Sequence, residues 1–155
     1  MTIAPSLKSF LALIGWSEGA DYNTIVTGVD GPATFSDFSD HPFAPQFHRP
    51  PVVWRLPAIP ANESTAAGRY QILYHWWFAY KTELHLPDFS PSSQDAVAIQ
   101  QIKERHALEM IADLDIQAAI TACSNIWASF PNNNYGQGGK TMPELLDKFG
   151  ELNSQ

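Results

Sequence analysis

Apolar residues recur at helical spacing near the start of the chain. Four of them fall at positions i, i+3, i+4 and i+7: Leu7, Phe10, Leu11 and Ile14. This periodicity predicts a helix over residues 5–17 with one buried face. Pro5 suits the first turn of that helix, and Gly19 suits its end. Glu18 continues the apolar stripe one turn beyond Ile14, so the pattern places its carboxylate at the edge of the core.

The helical spacing of apolar residues stops after Tyr22, and the residues that follow predict a small region of β-structure. Residues 24–27 are all β-branched, which is typical of a strand. Asp30-Gly31 is a turn signal, and Thr34-Phe35 could form the returning strand. The pattern therefore predicts a small hairpin or a short three-stranded sheet.

Residues 42–60 are rich in proline, which favours an extended loop without helix. The segment also contains large apolar residues such as Phe43 and Trp54, which are unusual in a linker that only connects two elements. Long loops inside compact domains are commonly functional, so we interpret this segment as a flap over a binding cleft. The alternative is a loop that packs down over the core.

The rest of the chain is predicted to be helical, with short breaks. A helix ends before Pro87, and Ser90-Pro91 opens another helix to about Arg105 as N-cap and first helical residue. A short helix follows at 108–112, and Asp115 caps the next, which is predicted to run to about Ser129. Thr141 and Glu144 form a capping box for the last helix, after a polar loop. Three tryptophans are assigned to the core: Trp76, Trp77 and Trp127.

Length and composition predict one domain over residues 1–155. Hydrophobic residues make up 45% of the chain, which is enough for a compact core. Aromatic residues reach 12% and charged residues only 16%, a balance that suits stacking on sugar rings as well as an ordinary core. The net charge of −7 argues against nucleic acid and against an anionic membrane surface, because such ligands are bound through basic patches.

Metal, cofactor and nucleophile chemistry find little support in the sequence. The single cysteine, Cys123, falls at helical spacing among apolar residues, so it is predicted to lie in the core and cannot form an internal disulfide. The histidines are scattered and form no HExxH pattern, and glycine-rich phosphate loops and serine-nucleophile motifs are lacking. We therefore expect no metal and no cofactor.

The N-terminal segment lacks the features of a leader or a membrane anchor. Its apolar run, Phe10 to Trp16, is too short to span a bilayer, and no cleavage site of small residues follows it. We expect the protein to accumulate in the cytoplasm without stable membrane association. If it acts outside the cell, another component must release it.

Carboxylate chemistry is the remaining possibility, and Glu18 is the candidate. Cleavage of a glycosidic bond needs a carboxylic acid that is still protonated near neutral pH, and an apolar environment raises a Glu pKa in this way. Glu18 follows an apolar helix face and has Trp16 two residues before it. By itself the position is a weak signal, since a Glu at a helix end is usually a surface or structural residue.

Several sequence blocks in one order resemble the bacteriophage lambda type endolysins. The blocks are WSEG at 16–19, FSDHP at 38–42, STAAGRYQ at 64–71, SQDAVA at 93–98, QQIKER at 100–105, CSNIWAS at 123–129 and YGQ at 135–137. The likeness extends from about residue 7 to residue 149. It departs in the proline-rich segment and near residues 132–140, which correspond to the two lip loops of that family.

The resemblance implies an α+β, lysozyme-like fold that is mostly helical, with a small β-sheet and a cleft between two lobes. It also implies a lytic transglycosylase, which breaks the β-1,4 bond between N-acetylmuramic acid and N-acetylglucosamine in peptidoglycan and leaves a 1,6-anhydro ring. Glu18 matches the family's catalytic residue. The enzyme would work as a monomer in host cell lysis, released from the host cytoplasm by a separate holin-type protein.

Saccharide contacts are expected from polar residues within the matching blocks. These candidates are Ser64, Gln71, Gln100, Gln101 and Tyr135. Arg69 could meet a peptidoglycan carboxylate or form a structural ion pair.

Two alternatives stay open: a hydrolytic muramidase on the same fold, and a non-catalytic glycan-binding module. The hydrolase would need a second carboxylate, for which Asp21, Asp37 and Asp40 are the nearby candidates, although a structural role at the His41-Pro42 turn is favoured for Asp40.

Overall fold

A computed structural model of the chain describes residues 2–131 and 139–155. Its α-helices are α1 (Pro5–Glu18), α2 (Tyr74–Glu83), α3 (Pro91–Glu104), α4 (Leu108–Ala112), α5 (Ile116–Cys123) and α6 (Met142–Asn153). Its strands are β1 (Thr24–Gly28), β2 (Gly31–Thr34), β3 (Val52–Val53) and β4 (Glu63–Ser64). The prediction of a mostly helical α+β chain with little sheet is therefore confirmed. Packing divides the chain into two compact units, residues 1–19 with 98–155 and residues 20–97.

The first unit is a helical cluster around α1. This helix packs against α6 and α4, and α5 packs against α4 and α6. Phe10 of α1 meets Phe130 edge-on, with ring centroids 6.2 Å apart, and Phe130 in turn contacts Trp127. α1 ends as predicted at Gly19, whose φ of 65° lies in the left-handed region that favours glycine.

The second unit combines the β-structure with α2 and the start of α3. β1 and β2 form the predicted antiparallel hairpin, in which Thr24 pairs with Thr34. β3 and β4 form a separate antiparallel pair, so the described residues contain two small sheets and no three-stranded one. The core of this unit is aromatic, since Trp77 meets Phe89 edge-on at a centroid distance of 4.8 Å.

The structure corrects three predictions about helices and core. The proline-rich segment contains single turns of 3₁₀ helix at Pro45–Phe47 and Pro60–Asn62, which proline at the first position favours. α5 ends at Cys123 and not near Ser129, because the chain then tightens into i→i−3 bonds such as that from the Ser124 N–H to the Thr121 carbonyl. Trp76 is 51% exposed and does not belong to the core. It directly precedes the buried Trp77, and neighbouring residues of a helix point about 100° apart.

The buried His41 makes the second unit sensitive to acid. Its Nε2 lies 2.8 Å from the Ile72 carbonyl, and its Nδ1 accepts the Phe43 N–H at 3.1 Å. This pattern fixes a neutral imidazole with the proton on Nε2. Burial lowers the pKa of His41 to about 4, although the Ile72 carbonyl and the nearby Asp40 carboxylate act to raise it.

We expect the free energy of unfolding to fall as the pH drops from about 6.5 to about 4. In this window the unfolded chain binds a proton at residue 41 that the folded chain excludes, so acid favours unfolding. The shift from 6.5 to about 4 corresponds to a loss of about 3 kcal/mol. Urea unfolding of the wild type at several pH values would measure it. His41→Phe should flatten this dependence and His75→Gln, at an exposed histidine, should not; equal slopes in all three proteins would contradict the assignment.

Candidate active site

Glu18 is the last residue of α1 and lies at the border between core and solvent. The residues before it on the buried side of the helix, Ile14 and Ser17, are buried, and Glu18 itself is half-buried. The prediction that the apolar stripe carries this carboxylate to the edge of the core agrees with the structure. The side chain therefore combines partial desolvation with access from outside.

Ser129 is the hydrogen-bond partner of Glu18. The Ser129 N–H donates to Oε2 of Glu18 at 3.3 Å, and the Ser129 hydroxyl donates to the same oxygen. The Ser17 hydroxyl in turn donates to the Ser129 hydroxyl at 2.6 Å. Two residues of α1 are thus joined to one residue more than a hundred positions further along the chain.

The environment of Glu18 favours its protonated form. Burial raises the pKa of Glu18 above its ordinary value, and the two hydrogen bonds from Ser129 oppose that effect without cancelling it. No salt bridge to Glu18 occurs among the described residues, so no cation offsets the desolvation. A raised pKa extends to higher pH the range in which a carboxyl group can donate a proton.

The structure gives Asp40 the predicted structural role. Its Oδ1 accepts the His41 N–H and the Trp77 indole N–H, each at 2.8 Å. Its Oδ2 accepts from Gln46 at 3.1 Å and pairs with Lys81 at 3.2 Å. Partial burial acts to raise the pKa of Asp40, but its hydrogen bonds hold it below the ordinary value. An ionised carboxylate with four donors is poorly suited to attack a sugar.

The other two acids considered for a hydrolase are also engaged in local turns. Asp37 Oδ1 accepts the Ser39 N–H at 2.9 Å, and hydrogen bonds from the side chain and the backbone of Ser39 lower the pKa of Asp37. Asp21 Oδ1 accepts the Tyr22 N–H at 2.8 Å. In the described part of the chain, no group of three His, Cys, Asp or Glu residues is placed to hold a metal ion.

The predicted saccharide-binding residues fall in different places. Gln100 and Gln101 belong to the first unit, and Ser64 and Gln71 to the second. The Gln100 amide donates to Glu104 at 3.2 Å, whereas the buried Oε1 of Gln101 has no hydrogen-bond partner among the described residues. Tyr135 lies outside the described residues.

Two of these side chains also support the local backbone. The Ser64 hydroxyl accepts the Ala66 N–H at 3.1 Å. The Gln71 amide donates to the Gly68 carbonyl at 3.0 Å, and residue 71 has a positive φ of 49°.

Arg69 is held inside the second unit by aromatic side chains. Its guanidinium donates to the Tyr22 hydroxyl at 2.9 Å and lies over the Tyr22 ring at 5.1 Å from the centroid. The Tyr22 and Tyr70 hydroxyls both donate to Asp95 Oδ1, at 2.9 and 2.6 Å. Arg69 is thus part of a structural network and does not pair directly with a carboxylate among the described residues.

Sequence reasoning missed Ser17 and Ser129 as partners of Glu18. Both lie inside blocks that carried the family resemblance, WSEG and CSNIWAS, so the blocks marked them without giving a role. Cys123 lies in the core as predicted, and burial raises the pKa of its thiol to about 12. Among the residues that the structure describes, no helix has the length and apolar character needed to cross a membrane.

Comparison with known proteins gives a consistent result. A family model described as Endolysin matches residues 8–155. The endolysin of Escherichia phage lambda is 48% identical over 155 aligned residues, covering 93% of this chain and 89% of the relative. The endolysin of Escherichia phage P2 is 45% identical over 151 residues, covering 91% of this chain and 88% of the relative.

Solved structures agree with the sequence relatives. A bacteriophage lambda lysozyme complexed with a chitohexasaccharide matches with a TM-score of 0.85 and 46% identity, covering 98% of this chain and 96% of that one. A second lysozyme structure from bacteriophage lambda matches with a TM-score of 0.80 and 44% identity, at the same coverage. The lysozyme-like fold predicted from the sequence is therefore confirmed.

Proposed function

Because the chain belongs to the Endolysin family and is a peptidoglycan-degrading lysis enzyme, we propose that it cleaves glycan strands by lytic transglycosylation with Glu18 as its single catalytic acid and base. The observation that carries this proposal is the half-buried Glu18 carboxyl, whose pKa burial raises and to which no cation pairs in the part of the chain that the structure describes. A single carboxyl of this kind supplies a proton near neutral pH and can take one back later in the reaction.

The proposed reaction needs no second carboxylate because the nucleophile belongs to the substrate. Glu18 donates its proton to the glycosidic oxygen while the bond from that oxygen to the muramic acid C1 breaks, and the bonding electrons leave with the oxygen. The 6-hydroxyl oxygen of the same muramic acid then forms a bond to C1 and gives its proton to the Glu18 carboxylate. Tethering makes this attack effectively unimolecular, so proximity replaces an activated water.

The turn contacts of the other acids support this choice over a hydrolase. Asp40 is saturated by four donors, and Asp21 and Asp37 each accept a local backbone N–H. The usual hydrolase needs a free carboxylate as nucleophile or as base for water. Asp40 is not free in that sense, and Asp21 and Asp37 each have one oxygen engaged in a local turn.

The substrate contacts are proposed to come from the residues singled out in the sequence. Ser64, Gln71, Gln100, Gln101 and Tyr135 offer hydroxyl and amide groups that suit acetamido and hydroxyl groups of a glycan. Oε1 of Gln101 is buried and has no hydrogen-bond partner within residues 2–131 and 139–155, which supports this role, since a buried acceptor without a donor is unfavourable unless a ligand supplies one. The lambda lysozyme complex with a chitohexasaccharide supports a glycan ligand for the fold.

The setting of the reaction is also part of the proposal. We propose that the enzyme is made in the host cytoplasm, works as a monomer with one catalytic domain, and reaches the cell wall after a separate holin-type protein permeabilises the membrane. The net charge of −7 supports the absence of nucleic acid and anionic membrane partners.

Mass analysis of soluble products from purified peptidoglycan tests the reaction type. We expect muropeptides with 1,6-anhydro-muramic acid ends, each lighter by one water than the product of hydrolysis, because the 6-hydroxyl takes the place of water at C1. Reducing ends in their place would establish a hydrolytic muramidase. Binding to peptidoglycan without release of any product would point to the glycan-binding module.

A further inference from the structure

Ser129 is placed next to Glu18 by its neighbours in the chain. Trp127 and Phe130 flank it and are buried, and Phe130 packs edge-on against Phe10 of α1. The Ser129 carbonyl accepts the Lys140 N–H at 2.8 Å. The backbone beside Ser129 is therefore held in place next to Glu18 by packing and by a hydrogen bond.

The hydrogen bonds at Glu18 distinguish its two oxygens. Oε2 accepts both the N–H and the hydroxyl of Ser129, while no bond to Oε1 occurs among the described residues. Ser17 completes the arrangement, because its hydroxyl donates to the Ser129 hydroxyl at 2.6 Å and occupies an acceptor site there. The Ser129 proton is thereby directed at Glu18.

We propose that Ser129, oriented by Ser17, is a positioning residue that reserves Oε2 of Glu18 as a hydrogen-bond acceptor and leaves Oε1 as the oxygen that carries the transferred proton. The inference rests on the proposed function of Glu18. In the protonated state, Oε1–H is the group that meets the glycosidic oxygen. In the ionised state, Ser129 stabilises the charge on Oε2 until Oε1 takes the proton from the 6-hydroxyl.

The pH profile of peptidoglycan cleavage tests this role with the variant Ser129→Ala. Loss of the hydroxyl removes a donor that favours the ionised carboxylate, so the pKa of Glu18 should rise. Activity requires protonated Glu18, so activity falls on the alkaline side of the pH profile. This alkaline limb should move to higher pH by about one unit, the equivalent of one charge-assisted hydrogen bond. The maximal rate should fall at the same time, because Glu18 loses its fixed orientation.

Three further variants make the test specific. Ser17→Ala should move the limb in the same direction by a smaller amount, and Ser17→Ala/Ser129→Ala should match Ser129→Ala, because Ser17 acts through Ser129. Ser129→Thr keeps a hydroxyl and should restore the wild-type limb. Ser124→Ala is the matched control, since Ser124 is a buried serine of the same segment whose hydroxyl donates to the Thr121 carbonyl at 2.9 Å.

The outcomes separate this inference from the proposed function. A lowered rate with an unmoved limb in Ser129→Ala overturns the inference, because a merely structural residue would give that result. If Ser129→Ala does not fold, the limb of Ser17→Ala decides in the same way. Full activity of Glu18→Gln would overturn the proposed function itself. If Glu18→Gln is inactive and the alkaline limb of Ser129→Ala does not move, only the positioning role of Ser129 is overturned.

Discussion

Glu18→Gln is expected to lower the rate of peptidoglycan cleavage by about a thousand-fold, within the range of general acid catalysis. Glutamine retains an oxygen that can accept both donors of Ser129, so the local geometry should persist. It cannot donate an acidic proton to the leaving oxygen, nor accept one from the 6-hydroxyl. Initial rates of product release from purified peptidoglycan would measure the loss.

The same variant is expected to be more stable than the wild type at neutral pH. Because the folded-state pKa of Glu18 is raised, ionisation above that pKa destabilises the fold, and neutral glutamine avoids this cost. The gain should shrink as the pH falls through the raised pKa towards 4.5, where the wild-type carboxyl is protonated as well. Thermal unfolding at two pH values would show it.

Glu83→Gln is the matched control for both measurements. Glu83 also closes a helix, α2, but its side chain is exposed. Its replacement should leave the rate unchanged and the stability within about 0.5 kcal/mol. A Glu18→Gln protein that retains a tenth or more of the wild-type rate would remove Glu18 from the mechanism.

Trp77→Ala is expected to lower the free energy of unfolding by about 3–5 kcal/mol. The indole is fully buried against Phe89, so truncation leaves a large cavity. It also removes the donor at 2.8 Å from Asp40, whose carboxylate then has one partner fewer. Urea unfolding followed by circular dichroism would measure the loss.

The neighbouring Trp76 provides a control of the same residue type. It is 51% exposed, so Trp76→Ala removes much less buried apolar surface and should lower the free energy of unfolding by clearly less than Trp77→Ala. Trp77→Phe should fall between the two alanine variants, because it keeps much of the packing and loses the bond to Asp40. Equal losses in both alanine variants would show that burial of Trp77 does not control stability.

Local signals in the sequence predicted most of the helices. Pro5, Gly19 and the Asp115 cap act on the residues beside them, and α1, α3, α4 and the Thr141 cap of α6 appear where the sequence placed them. Burial depends on tertiary contacts, and this is why Trp76 was placed wrongly beside Trp77. The end of α5 was missed because i→i−3 bonds after Cys123 leave no clear mark in the sequence.

The candidate site was predictable only in part. The apolar stripe and the WSEG block predicted the position of Glu18, but no periodicity relates it to Ser129, which lies on a turn after α5. Ser17 is a polar residue on the buried face of α1, and the sequence alone gives it no role. Its role follows from the hydrogen bond that its hydroxyl donates to Ser129. Contacts between distant segments arise from packing, which a single sequence does not display.

The assembly of the first unit from two distant segments has a consequence for synthesis. α1 leaves the ribosome well before α6, against which it packs and which begins more than a hundred residues later in the chain. A nascent chain that ends before residue 129 therefore has Glu18 without its two donors and α1 without its main partner. Translation itself should delay lytic activity until α6 has been made, so chains that stop short of this helix would be harmless to the cell that produces them.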